Sequence, residues 1–297
     1  MIKSSDDIID AARKISNRRG LFRIAVAVAN ESNVLAAIKS AYDDGICDAI
    51  LFGNKGKIEE IAHKNQIDIG KFPIIDQTDD IKAVNNAVGS AARGEADVII
   101  KGFVSTSTLL KGVLTKKFNL QTSRVLSHVA VLTIPGRNKL LLASDGGMTV
   151  KPTLEQRFDI FKNILVVAGA LKIRPFRAAI MNGNNDTANN SLANESKELM
   201  NLIQKEGFSS YVIPKPMNLA EAISAEADAV IYGSIEECNL ATKSMIIFGK
   251  TIVTGVIIGS KKPVSVVSRT DPIIGKKASI ALACLVSNYY RPLDKEK

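Results

Sequence analysis

The sequence predicts an α/β protein built on mainly parallel sheets, and three features lead there. Short aliphatic runs recur along the chain and are apolar over their whole length, as strands covered on both faces are. Each is followed by a segment with helical spacing, the alternation that βα units produce. Trp is absent, and Phe and Tyr number 10 and 5, so Val, Ile, Leu and Ala must fill the core.

Taken in order, "FRIAVAVA" (22–29) precedes the helical "NVLAAIKSAYDDGI", and "DAILFGN" (48–54) precedes "KGKIEEIAHKNQI". "FPIIDQ" (72–77) precedes "DIKAVNNAVGSAARGE", and "DVIIKGF" (97–103) precedes "TSTLLKGVLTKKF". The middle changes character. "VLSHVAVLTI" (125–134) and "KLLLASD" (139–145), joined by "PGRN", predict a β-hairpin. Thr153, just after Pro152, is the expected N-cap of the long helix "TLEQRFDIFKNILVVAGALKI". The strand-like "FRAAIMNGN", "SSYVIPK", "DAVIYGS" and "TIVTGVIIG" follow. "PVSVVSRTDPIIGKKASIALACLV" (263–286) then reads as a buried strand, four polar residues and a helix. A chain of 297 residues suggests two domains or one large α/β unit. We read residues 1–126 plus 257–297 as a first α/β domain and residues 127–256 as a second one inserted into it.

Composition narrows the class. Hydrophobic residues make up 46% and charged ones 23%, as in an ordinary globular protein. The N-terminal "MIKSSDDIIDAARKISNRRG" lacks the apolar core of a signal peptide. No apolar run approaches the roughly 20 residues that span a bilayer, so no membrane partner is expected. Cys47, Cys238 and Cys284 are far apart with no CxxC pair, which suggests neither a disulfide framework nor a zinc site. Two histidines, His63 and His128, cannot supply a histidine-based metal centre. These readings make the protein cytoplasmic and free of metal. The net charge of +9 fits a cleft that handles anionic small molecules, and a basic cytoplasm would give the same number. Basic residues are scattered and aromatic ones few, so nucleic acid is not the expected partner.

No Walker loop, GxGxxG, HExxH or GxSxG occurs. Three polar stretches remain. "KGFVSTSTLLKGVL" puts Lys101, Ser105, Thr106, Ser107 and Thr108 at a strand-to-helix junction, where hydroxyls and backbone N–H groups hold phosphate or carboxylate, or simply cap a helix. "SDGGMTVKP" sets Asp145 at a strand end, with Gly146 and Gly147 allowing close approach of a ligand or forming a glycine turn. "SRTD" (268–271) offers Thr270 or Asp271 as a cap before Pro272, which explains Asp271 but not Arg269.

Together, "EADVIIKGFVSTSTLLKGVL", "TSRVLSHVAVLTIPGRNKLLLASDGGM", "KSMIIFGK…GVIIGSKKPVSVVSRTD" and "SIALA" make the chain resemble the phosphate acetyltransferase and phosphate butyryltransferase family, nearest its butyryltransferase branch. The likeness runs through most of residues 40–290. It implies two α/β domains with an active-site cleft between them, an isocitrate dehydrogenase-like fold and a homodimer. It implies acyl transfer between CoA and inorganic phosphate, with acyl-CoA, phosphate and acyl phosphate as reactants, CoA as substrate rather than resident cofactor, and no metal. Ser268–Arg269 matches the family's serine–arginine pair. Arg269 would hold phosphate or acyl-phosphate oxygens by paired N–H bonds, and Ser268 would donate to the same group. Asp271, placed as in the butyryltransferase-like SRxD, would take the CoA thiol proton. Lys101 and Arg124 match positions near the cleft and would bind phosphates, with Ser105 and Thr106 beside Lys101 and Asp145 facing them from the inserted domain.

The chain departs from the family pattern at four places. Ser105 stands for a histidine, and Asp145-Gly146-Gly147-Met148 for Asp-Ala-Ala-Met. Cys238–Asn239 stands for Gly-Asn, and a segment like GPLALDNAIS is largely missing between "SSYVIPKPMN" and "ADAVIYGS". The departures leave two functions open: a phosphate acyltransferase, or a catalytically degenerate homologue that binds CoA or acyl phosphate as a sensor or assembly component.

Overall fold

The structure, a computed structural model, describes residues 2–182, 191–266 and 272–293. In chain order it begins α1 (Ser5–Arg19), β1 (Phe22–Ala27), α2 (Ser32–Asp43), β2 (Cys47–Gly53), α3 (Lys55–Lys64), β3 (Ile74–Asp76), α4 (Asp80–Ala92), β4 (Val98–Lys101) and α5 (Thr106–Val113). The middle of the chain forms β5 (Ser127–Thr133), β6 (Leu141–Ser144), α6 (Leu154–Ala170), β7 (Ala178–Ile180), α7 (Ser191–Lys205), α8 (Leu219–Ser224), β8 (Ala229–Ile231) and α9 (Ile235–Gly249). β9 (Ile252–Ile258), β10 (Val264–Ser265) and α10 (Ile273–Leu293) close it. These elements fall into two compact units. The first is Ser5–Ser123 with Thr254–Lys297, and the second is Met1–Ser4 with Arg124–Val253.

In the first unit the strand order is β3-β2-β1-β4-β10-β9. All but β9 run parallel. β9 pairs antiparallel with β10 through Ile257 and Val264. Gly259, at φ 111°, opens the turn between them in a conformation that L side chains rarely adopt. The alternation of strands and helices gave no sign of this second hairpin. β1 is buried at every position except Arg23, as a strand covered on both faces must be. α4 explains one cover. Ala83, Val84, Ala87, Val88 and Ala91 recur at helical spacing and are all buried, and their small size lets the helix lie close to the sheet.

Where "FPIIDQ" predicts a six-residue strand, β3 has three residues, none fully buried. It is the sheet's edge, and short edges discourage pairing with other chains.

The second unit has the order β5-β6-β8-β7. β5 and β6 form the hairpin read from the sequence, with Ala130 opposite Ala143. β6, β8 and β7 are parallel. Leu132, Leu141, Ala179, Val230, Ile213 and Met217 form its buried cluster. Thr153 caps α6 as expected, in a reciprocal arrangement. Its hydroxyl accepts from the Gln156 N–H, and the Gln156 side chain accepts from the Thr153 N–H. Among the described residues no helix is long and apolar enough to cross a membrane.

Asp97 ties the ends of the first unit together. Its carboxylate accepts from the Arg23 backbone at 3.0 Å, from Arg19 at 3.3 Å and from Arg291 of α10 at 2.6 Å. Burial alone would raise this carboxyl. The Arg23 N–H and the Arg291 guanidinium outweigh it and hold the group below the usual carboxylate range. A depressed carboxyl stabilises the fold above its unfolded value, about 3.9, and that contribution is lost as pH falls through the lower folded value. Asp97→Asn should therefore cost about 1–3 kcal/mol in urea unfolding at pH 7, and the gap to the parent should narrow as pH falls below the ordinary carboxylate value of about 3.9.

Candidate functional site

The parallel strands of the first unit end along one edge, where open α/β sheets bind their ligands. Ala27 of β1 lies beside Phe52 and Lys101, and Ser265 of β10 lies beside Ile100. The exit from β4 is built by backbone contact. The Gly102 N–H donates to the Ala27 carbonyl at 2.9 Å, and the Phe103 N–H to that of Val28 at 2.7 Å. A Cβ at Gly102 would lie 2.0 Å from the Val28 oxygen, so no other residue fits. Val28 sits at φ 58°, left-handed and uncommon for a β-branched residue. Sequence reasoning passed over both positions, because neither carries chemistry of its own.

Lys101, Ser105 and Thr106 come together here. The Lys101 ammonium donates to the carbonyls of Gly102 and Val104, each at 3.1 Å, and so braces the loop that follows its own strand. Ser105 is the N-cap of α5. Its hydroxyl accepts from the Thr108 N–H at 3.0 Å and bonds the hydroxyls of Ser107 and Thr108 at 2.9 and 2.8 Å. The capping reading is therefore realised for Ser105, and Thr106 is the first helical residue. Ser268, Arg269 and Asp271 lie outside the described residues, three or more positions beyond Ser265.

In the second unit Arg124 is half-buried just ahead of β5, and Asp145 follows β6. Asp145 is 4% exposed and turns both oxygens onto backbone donors. One accepts from His128 at 3.1 Å, Gly147 at 3.0 Å and Met148 at 3.2 Å, and the other from Thr149 at 2.9 Å. Burial lifts this carboxyl above its ordinary range, against the pull of those N–H groups and of His128. Gly146 and Gly147 sit where a side chain would be tight. A Cβ would meet Cys238 Sγ at 3.1 Å at the first and His128 Cβ at 3.2 Å at the second. Asp145 is thus the organiser of the 145–149 loop, and its carboxylate is already occupied by that loop's own amides.

Polar loops braced at the carboxyl ends of parallel strands define an α/β protein of the open-sheet, ligand-binding class. The chain belongs to the phosphate acetyl/butaryl transferase family, whose model it matches over residues 6–90 and 81–284. It is 33% identical over 303 residues to a phosphate butyryltransferase of Clostridium beijerinckii, covering 97% of this chain and 99% of the relative. With a phosphate acetyltransferase of Thermotoga maritima it shares 28% identity, over 89% and 94% of the two chains. The fold is that of solved phosphotransacylases. A branched-chain phosphotransacylase from Enterococcus faecalis superposes at TM-score 0.76 with 24% identity, over 90% of this chain and 99% of that one. A phosphotransacetylase from Streptococcus pyogenes superposes at 0.79 with 14% identity, over 96% and 99%.

Asp145→Asn replaces one acceptor oxygen by an NH2 group facing amide donors. It should cost about 1–3 kcal/mol in thermal or chemical unfolding. A variant as stable as the parent would show that the loop does not depend on this carboxylate.

Proposed function

We propose that the protein is a phosphate acyltransferase that moves a short acyl group reversibly between CoA and inorganic phosphate. Family membership over nearly the whole chain supports the reaction class. The observation that carries the site is strand order. β10, the strand that leads into Ser268–Asp271, is the parallel neighbour of β4, the strand that leads into Lys101 and the Ser105–Thr106 helix start. Two polar segments thus follow adjacent strand ends.

In the direction of acyl-CoA synthesis the CoA sulfur attacks the acyl-phosphate carbonyl and the carbon–oxygen bond to phosphate breaks. Asp271 takes the thiol proton, which leaves with phosphate after the tetrahedral centre collapses. Arg269 pairs with the phosphoryl oxygens and, with Ser268, offsets charge as that centre forms. Lys101 and Arg124 carry phosphates of CoA or acyl phosphate, and Asp145 holds its loop in place for them. CoA enters as a substrate, and no resident cofactor or metal is needed. The reaction belongs in the cytoplasm, and neither nucleic acid nor membrane is a partner. The three cysteines are free and buried, as a reducing compartment leaves them.

Purified protein given phosphate and acetyl-, propionyl- or butyryl-CoA should release free thiol. Arg269→Ala should lose on the order of 100-fold or more in rate, and Asp271→Asn less. No turnover above buffer with any acyl chain would overturn the reaction, and CoA binding without turnover would point to the degenerate homologue.

The working form is a homodimer. α9 is apolar on two sides. Cys238 and Thr242 face the core, while Leu240, Ile247 and Phe248 are 72%, 69% and 85% exposed. An exposed apolar stripe of this kind marks a contact surface. Two copies of α9 laid antiparallel about Lys243 and Ser244 would set Leu240 against Ile247 and bring the N-terminal Glu236 and Glu237 of each to Lys250 of the other. Such a stripe is self-complementary, as a two-fold contact requires. Light scattering should give twice the chain mass, and Phe248→Asp should shift it to the monomer. A monomeric parent would sink this assignment.

A further inference from the structure

Outside the residues assigned to acyl transfer, the second unit contains a buried cation with no hydrogen-bond acceptor among the described residues. Arg157, in the first turn and a half of α6, has a side chain 2% exposed. Among the described residues none of its three guanidinium nitrogens has a hydrogen-bond partner. The nearest acid is Glu195 of α7, whose carboxylate oxygen is 3.9 Å away on a side chain 51% exposed. Glu237 acts on it from farther off. Five N–H donors held away from water without acceptors are costly, and Arg does not escape by losing its proton. Such a group calls for an acceptor from outside the chain, whether water, ion or ligand.

The surroundings say what that is. Arg157 lines a cavity of about 480 Å³, within the range of small-molecule sites. The cavity is formed by residues at the start of α6 (Pro152, Thr153), by α7 (Glu195, Glu198) and by Gly233–Ser234, which follow β8. It therefore lies at the carboxyl end of this unit's parallel strands. Lys151 adds a second cation at the exposed rim, and the N-terminus of the 17-residue α6 points a positive dipole end into the same region. The floor is thus cationic and dry. The opposite rim, Glu195 and Glu198, is anionic and solvated. A bare ion would leave most of this volume empty, and a second anionic group on the ligand would meet the glutamates.

We propose that this cavity binds a small organic molecule with one oxyanion head, carboxylate or phosphate, seated on Arg157, and a neutral or cationic tail against Glu195 and Glu198. The guanidinium fork pairs with either head in two parallel bonds. Neither Arg124 nor Asp145, the site candidates of this same unit, lines it.

Four probes separate head from tail in titrations followed by calorimetry and by NMR shifts: 4-aminobutyrate, phosphoethanolamine, butyrate and succinate. At least one of the first two should bind saturably, and whichever is tighter identifies the head as carboxylate or phosphate. Succinate should bind at least tenfold more weakly than 4-aminobutyrate, with butyrate between them. Arg157→Met should weaken binding at least tenfold while raising the melting temperature by about 2–4 °C, because it removes a buried charge that lacks a partner. Glu195→Gln, an exposed change that does not threaten folding, should narrow the gap between succinate and 4-aminobutyrate.

Absence of binding by all four probes overturns the proposal, as does binding that Arg157→Met leaves unchanged. Preference for succinate overturns the single-anion head. A fall in melting temperature for Arg157→Met, or failure of that variant to fold, would show the guanidinium to be a structural contact and would likewise overturn it.

Discussion

The first unit is organised around one contact between two backbones. β4 leaves the sheet so close to β1 that the Gly102 position would put a Cβ 2.0 Å from the Val28 carbonyl. That approach lets Gly102 and Phe103 donate to Ala27 and Val28, and it forces Val28 into the left-handed region. Everything after Lys101 inherits this geometry. The loop is short because its first two amides are already spoken for, and α5 starts where Ser105 can cap it. Lys101 then fills the remaining acceptors from beneath. A dry backbone contact, rather than any charged group, sets where polar side chains of this loop stand.

Buried charge is handled in two opposite ways in this chain. Asp97 and Asp145 are each surrounded by donors, and both work as local clamps: one joins α1, β1 and α10, the other closes a five-residue loop. Arg157 is deeper than either and has no such set. Satisfied buried polar groups specify a fold, whereas an unsatisfied one holds free energy in reserve for something that arrives later. The contrast within one chain makes the Arg157 environment hard to read as ordinary packing.

Local signals were the legible ones. The aliphatic run at 22–29 announces β1, and the hairpin of β5 and β6 follows from two apolar runs around "PGRN". Thr153 and Gln156 are three residues apart, so their reciprocal cap could be read directly. What escaped depends on residues distant in sequence. Val28 and Gly102 meet across 74 positions, and Asp97 reads as a loop acid until Arg291 arrives from the far end of the chain. Arg157, within "TLEQRFDI", looks like one of several solvent-facing charges, because a helix's buried face is set by what packs on it. For the candidate site, motif reasoning offered Ser268–Arg269, which lie outside the described residues, and Lys101, Ser105 and Asp145. Which of these serve as scaffold became visible only with hydrogen bonds: Ser105 as a cap and Asp145 as a loop organiser.

The first unit is discontinuous, and this bears on how the chain is made. Residues 5–123 emerge early and contain β1 to β4, but the strand that pairs with the free side of β4 is β10, near the far end of the chain. Until residues 264 and 265 are synthesised, Val98, Ile99 and Ile100 present an apolar edge with unpaired amides, the kind of surface that recruits a wrong strand. The helix α10 that completes the unit, and the Arg291 that reaches Asp97, come later still. Residues 124–253 are meanwhile whole before their host is. Birth order therefore runs from the inserted unit outward. The nascent half-sheet is the period of greatest exposure to aggregation and to chaperones in this protein's life.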